Sequence, residues 1–166
     1  IHERHPICEA FIDGAETLGL PRNPDYNGAR QEGVAYYQRT IRNGKRHSAA
    51  SSYLHPVRNR PNLQVVTRAH VERVVFEGSR AVGVRYRRYG QSQTATATRE
   101  VILAAGAIGS PQMLQVSGIG DPEHLRGIGV DIVHALPSVG LGLQDHYAVR
   151  VVHRVTRPIT LNERAR

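Results

Sequence analysis

The chain has 166 residues, enough for about one domain, and its 40% hydrophobic content is compatible with a globular core. The formal charge is +8 and all but one of the 22 basic residues are Arg. These cations are spread along the chain rather than gathered in a stripe, and two Phe with no Trp leave little for base stacking, which argues against a nucleic-acid-binding module.

No apolar stretch reaches membrane-spanning length, and no charged region followed by an apolar run opens the chain at Ile1. Cys8 is the single cysteine, so no intrachain disulfide exists. In chain order, residues 6–18 predict a helix: Pro6 suits its first turn, Ile7, Ala10, Phe11, Ala15 and Leu18 recur at helical spacing, and Gly19 suits the position after its end. Cys8 falls on the apolar face as a small buried residue. Residues 21–28 are dense in turn formers and predict a loop. Residues 34–41 predict a strand, Asn43-Gly44 a turn, and Ser48 the cap of a short helix ending at Leu54, before Pro56. Leu63 to Thr67 is a short apolar run.

The central region predicts a three-strand meander over 71–76, 81–88 and 93–99, with turns at Glu77-Gly78 and Tyr89-Gly90. Val101 to Ala105 is unbroken and apolar, the pattern of a central strand covered on both faces. Gly106 ends it, and Ser110-Pro111 reads as the cap and first turn of a helix running to about Ser117. A second short helix is predicted at Pro122 to Arg126 and a strand at Asp131 to Leu136. The meander reads as an excursion between two strands of a larger parallel sheet, whose remaining members this chain does not supply. Both ends read as cut, with Pro158 to Glu163 stopping in mid-course, and the expectation is an internal piece of a longer protein.

Two histidines, His2 and His5, have metal-like spacing without further convergent ligands, and a surface position is the better reading. Asp145-His146 invites an acid–base pair, but neighbours on an extended strand point to opposite faces. Val116-Ser117-Gly118 lacks the spacing of a hydrolase nucleophile turn. No glycine-rich turn of the type that cradles a pyrophosphate is present: Gly140-Leu141-Gly142 has Asp145 where the third glycine belongs.

The most specific stretch is Gly106 to Gly120, in which a strand ends in glycine, turns and starts a helix. It resembles the second signature of the glucose–methanol–choline oxidoreductases, matching at Gly106, Ala107, Ser110, Pro111, Met113-Leu114 and Ser117-Gly118-Ile119-Gly120. Gly109 departs from the Asn common there. The resemblance extends to Asn23-Pro24-Asp25-Tyr26-Asn27-Gly28, Gln31-Glu32-Gly33, Asn43 to Ala50, Tyr53-Leu54, Arg60-Pro61-Asn62-Leu63 and Leu143-Gln144-Asp145-His146. These look like the choline-dehydrogenase-like bacterial branch. Gly142 departs from the Asn usual before that last motif.

The resemblance implies a mixed α/β fold, part of an FAD-binding Rossmann-like domain with an inserted antiparallel meander, plus the start of a substrate domain. It implies a lead-in over residues 1–60, an FAD-domain portion over 61–120, and a continuation towards the substrate domain over 121–166. Val71 matches a strand position whose backbone contacts the adenine end of FAD, and Ala104, Ala105 and Gly106 match the strand end beside the adenosine. Read without the family, Val71 is an apolar strand residue. The family's catalytic His, paired with a second His or Asn, lies near its C-terminus, so no catalytic residue and no metal ligand is expected here. The implied reaction is FAD-dependent oxidation of a small alcohol, choline among others, to an aldehyde or ketone. A non-catalytic truncated remnant competes with that reading for this chain, and a basic nucleic-acid module is the distant third.

Overall fold

A computed structural model describes residues 4–160. The chain divides into two units, one formed by Ile1–Leu63 with Val149–Arg166 and the other by Gln64–Ala148. His2 and the end of the Pro158 to Glu163 segment lie outside the described residues.

In the first unit, α1 spans Pro6–Thr17. Its buried stripe is Ile12 and Ala15, not the wider face the apolar spacing predicted, and Phe11 and Leu18 stay exposed. Cys8 is half-buried rather than buried. His5 is buried, not at the surface: its Nδ1 accepts from Ile7 N at 3.3 Å and so caps the helix. The adjacent face carries Glu9, Asp13 and Glu16, which share one cation. Arg22 donates to Glu9 at 3.0 Å, to Glu16 at 3.2 Å and also to Asp13. The turn-forming loop after Gly19 closes on itself, with Asn23 Nδ2 donating to the carbonyls of Arg30 and Glu32. Gly33 is required there, because φ is +135° and a Cβ would lie 2.4 Å from Pro21 O.

The strand predicted over 34–41 does not form. Val34 makes one isolated bridge to Arg22, and Tyr36 spends its hydroxyl on the backbone N and O of His5, at 3.2 and 3.3 Å. Alternation alone makes no strand without a neighbour to complete a ladder. A short hairpin follows, β1 Ile41–Arg42 and β2 Lys45–Arg46, turning at Asn43 and Gly44 with φ of +51° and +71°. Ser48 Oγ accepts from Ser51 N at 3.3 Å, as a cap does. The helix it starts is a π turn over Ala50–Leu54 and a 3₁₀ turn over His55–Val57.

In the second unit, β3 His70–Glu77, β4 Arg80–Arg88 and β5 Gln91–Thr96 form the expected antiparallel meander, in the order β3-β4-β5. Its register shifts between Val71 and Arg73, leaving Glu72 as an extra residue opposite β4. Helix α2 spans Gly106–Val116. It begins four residues before the predicted cap, so Pro111 lies inside it and Ser110 Oγ accepts from Ala105 N at 3.0 Å instead of capping a first turn. After α2, β6 Ile119–Gly120 pairs in parallel with β7 His134–Ala135. Between them α3 spans Pro122–Gly127, capped by Asp121 Oδ1, which accepts from His124 N at 2.8 Å. Leu125 is the fully buried centre of this part, at 0% exposure.

Val101 to Ala105 joins no ladder, the chain already bending at Ala105, and Ile102 is 76% exposed. The composition that predicts a covered strand is intact; the neighbouring strands that would cover it are not among the described residues.

Candidate cofactor groove

The residues singled out for cofactor contact come from two places in the chain. Val71 sits near the start of β3, beside the extra residue Glu72. Ala104 and Ala105 end the apolar segment that precedes α2, and Gly106 opens the helix. The fold brings the first three onto one groove of 490 Å³, walled also by Val84, Leu103 and Met113. Gly106 follows Ala105 directly, with φ of +82°, a conformation that favours glycine. A Cβ there would meet nothing within 4 Å, so the surface in front of it is open.

Gly83 shapes the floor. It lines the groove, and a Cβ at this position would lie 2.3 Å from Ala95 O, so β4 and β5 approach too closely for any side chain. The walls are apolar aliphatic side chains and methyl groups, with Glu100 the one charged residue among them. Apolar walls with many small residues suit the close approach of an apolar ring. They offer no Lys or Arg and no glycine-rich turn for phosphate. The groove thus offers apolar surface and no cation to hold a phosphate.

Composition had given no role to Ser117 and Gly118, yet they anchor the C-terminal end of α2. Ser117 is buried at 6% exposure; its Oγ accepts from Val74 N at 2.8 Å and donates to Met113 O. Gly118 has φ of +90°, and a Cβ would lie 2.4 Å from Asp131 O. Its carbonyl accepts from Val133 N at 2.8 Å and from His134 N at 3.1 Å. Gln115 Nε2 donates to Val139 O at 3.2 Å, drawing in the segment before Gly140.

Other sequence candidates do not assemble. Asp145 Oδ1 accepts from the backbone N of His146 at 2.7 Å, and both residues are exposed. Among the described residues no three or more His, Cys, Asp or Glu side chains gather around a common metal position, and no helix is long and apolar enough to cross a membrane. In the first unit the guanidinium of Arg22, hydrogen-bonded to Glu9, holds that carboxyl below its ordinary range. The same pairing raises Arg22. Burial pushes the Tyr36 hydroxyl up.

Residues 1–148 match the GMC oxidoreductase family. The chain belongs to this family. Among curated GMC-type relatives, it is 48% identical to mitochondrial choline dehydrogenase of Homo sapiens over 158 residues, which is 95% of this chain and 27% of that protein. It is 48% identical over 153 residues to oxygen-dependent choline dehydrogenase 1 of Chromohalobacter salexigens, covering 92% of this chain and 27% of that one. The chain thus spans about a quarter of the length of these relatives. Among solved structures, an FAD-dependent oxidoreductase from Chaetomium thermophilum superposes with a TM-score of 0.74 at 29% identity, over 82% of this chain and 24% of that one. Pyridoxine 4-oxidase from Mesorbium loti gives 0.71 at 31% identity, over 83% and 27%. The mixed α/β GMC fold, with its antiparallel meander, is therefore the fold of this chain.

Proposed function

We propose that these residues are part of a longer FAD-dependent oxidoreductase acting on CH–OH groups, with choline or a similar small primary alcohol as substrate. Within it, the chain forms one wall of the adenosine site. The observation that carries this reading is the convergence of Val71 with Ala104 and Ala105, 33 positions apart in sequence, on one apolar groove. The likeness to choline dehydrogenases supports the substrate class.

The roles follow from the geometry. Val71 and Met113, which both line the groove, exclude water from a ring lying in it. Ala104, Ala105 and Gly106, with at most a methyl group each, let it approach the backbone. Gly106 also lies at the electrically positive end of α2, whose first turn carries no acidic side chain. When bound, FAD supplies the redox chemistry, its flavin accepting the hydride of the alcohol carbon. Glu100 is the only groove residue whose side chain could take a proton, and in this reading it lies at the adenosine end, so proton removal and phosphate binding are assigned to residues outside this groove. In this reading, residues 61–120 belong to the FAD domain, 1–60 lead into it, and 121–166 run on towards the substrate domain. Val101 to Ala105 becomes a covered strand once its sheet neighbours are present.

The test uses the full-length gene product that contains these residues. It is purified, its flavin is released and identified, and choline or other primary alcohols are added anaerobically. Stoichiometric FAD that is bleached by an alcohol supports the proposal. A flavin-free protein, or a flavin that no alcohol reduces, overturns it.

A further inference from the structure

The hydroxyl of Ser117 makes two bonds that join elements 43 residues apart in sequence. It accepts from Val74 N in β3 at 2.8 Å and gives its single proton to Met113 O in α2. Both groove walls hang on this point. Val71 lies three residues before Val74 on the same strand, and Met113 is the α2 residue that lines the groove with it.

We propose that Ser117 is a positioning residue for the adenosine-side groove, fixing the separation of the β3 wall from the α2 wall. The inference rests on the reading of the groove given above. Three features support it. First, β3 is an edge strand, and the bond to Ser117 shows that the Val74 N–H points away from β4. Val74 is buried at 4% exposure, so that N–H has no water to turn to. Second, among the described residues this is the only hydrogen bond joining α2 and its cap to the meander. The other anchors of the α2 end, Gly118 O and Gln115 Nε2, run to residues 133–139 instead. Third, a serine that bonds back to the carbonyl four residues earlier alters the direction of a helix end, and the carbonyl it takes is that of groove-lining Met113. A residue serving stability alone would have no reason to engage both walls.

The experiment uses the full-length protein, stripped of flavin, with affinities for FAD, ADP and FMN measured for wild type and variants. ADP fills only the adenosine side, and FMN only the flavin side. Ser117→Ala is expected to weaken both FAD and ADP by roughly 10-fold, the scale of one lost buried hydrogen bond, with FMN unchanged. Ser117→Thr, which keeps the hydroxyl, restores both to within about 3-fold. Leu125→Ala lowers the melting temperature through a cavity at a residue that does not line the groove and leaves ADP affinity alone. If Ser117→Ala does not fold, Ser117→Cys carries the test, with an intermediate loss expected from its weaker hydrogen bonding. Undiminished ADP affinity in the serine variants overturns the inference while leaving the FAD reading standing. So does a loss in Leu125→Ala as large as theirs. A wild type that binds neither FAD nor ADP removes the reading itself, and the inference falls with it.

Discussion

Two glycines of the second unit share a backbone conformation and differ in their surroundings, which separates two energies usually measured together. Gly118 has φ of +90° and Gly129 has φ of +72°. For Gly129 an added Cβ meets nothing within 4 Å, so Gly129→Ala should cost only the left-handed backbone penalty of about 1–2 kcal/mol. For Gly118 the same methyl would lie 2.4 Å from Asp131 O and 3.0 Å from Val133 N, both backbone atoms. Relief requires moving residues 131–134, which Gly118 O holds through Val133 N and His134 N. Overpacking of this kind costs about 1–3 kcal/mol, and weakening one of the two hydrogen bonds adds about 1 kcal/mol. Gly118→Ala should therefore exceed Gly129→Ala by about 2–4 kcal/mol, a factor of roughly 30–800. Hydrogen–deuterium exchange of the Val133 and His134 amides in the full-length protein reads this directly as faster local opening. Equal exchange in the two variants would refute the packing assigned to the end of the signature segment.

Two further outcomes follow from the same structure. Glu9 has its carboxyl lowered from the ordinary 4.5 by the hydrogen bond from Arg22. A depressed folded-state pKa stabilises above the unfolded value, and that contribution is lost as pH falls through the lower, folded-state value; Arg22→Gln should move the Glu9 carboxyl back up towards 4.5 in an NMR titration, and an unmoved carboxyl contradicts the pairing. Ile102→Asp should shift the unfolding of the 166-residue chain by no more than about 0.5 kcal/mol, because the side chain is 76% exposed. The same change should abolish flavin binding by the full-length protein, where it buries an unpaired charge in the completed sheet; full flavin retention there contradicts the covered-strand reading.

What the sequence made legible was local. The meander could be read because its turns announce themselves. Gly78, Tyr89 and Gly90 take positive φ, at +58°, +50° and +81°, between runs rich in valine, tyrosine and threonine. Likewise Asp121-Pro122 carries both the cap and the first-turn proline of α3. The failures share one cause, dependence on partners far along the chain or outside it. Residues 34–41 have strand composition, but only Ile41 at their end joins a ladder, Val34 makes a single bridge, and Tyr36 is committed to His5. Ser110-Pro111 mimics a helix start because nothing local reveals that Gly106 already turns the chain into α2. The groove was half legible: Val71, Ala104, Ala105 and Gly106 came from resemblance alone, and their convergence needed the fold. Ser117 was visible as a motif letter, yet its partner Val74 lies 43 residues away, beyond any periodicity.

The central claim is that this chain walls the adenosine end of FAD. The most direct measurement is photolabelling of the full-length protein with FAD carrying an azide on its adenine ring, followed by tryptic mapping. Trypsin releases Val71 within residues 69–73 and Ala104 to Gly106 within residues 100–126. The account predicts label in one or both of these peptides, and its loss when unmodified ADP is present in excess. Label confined to peptides elsewhere, with these two unmodified, would contradict it.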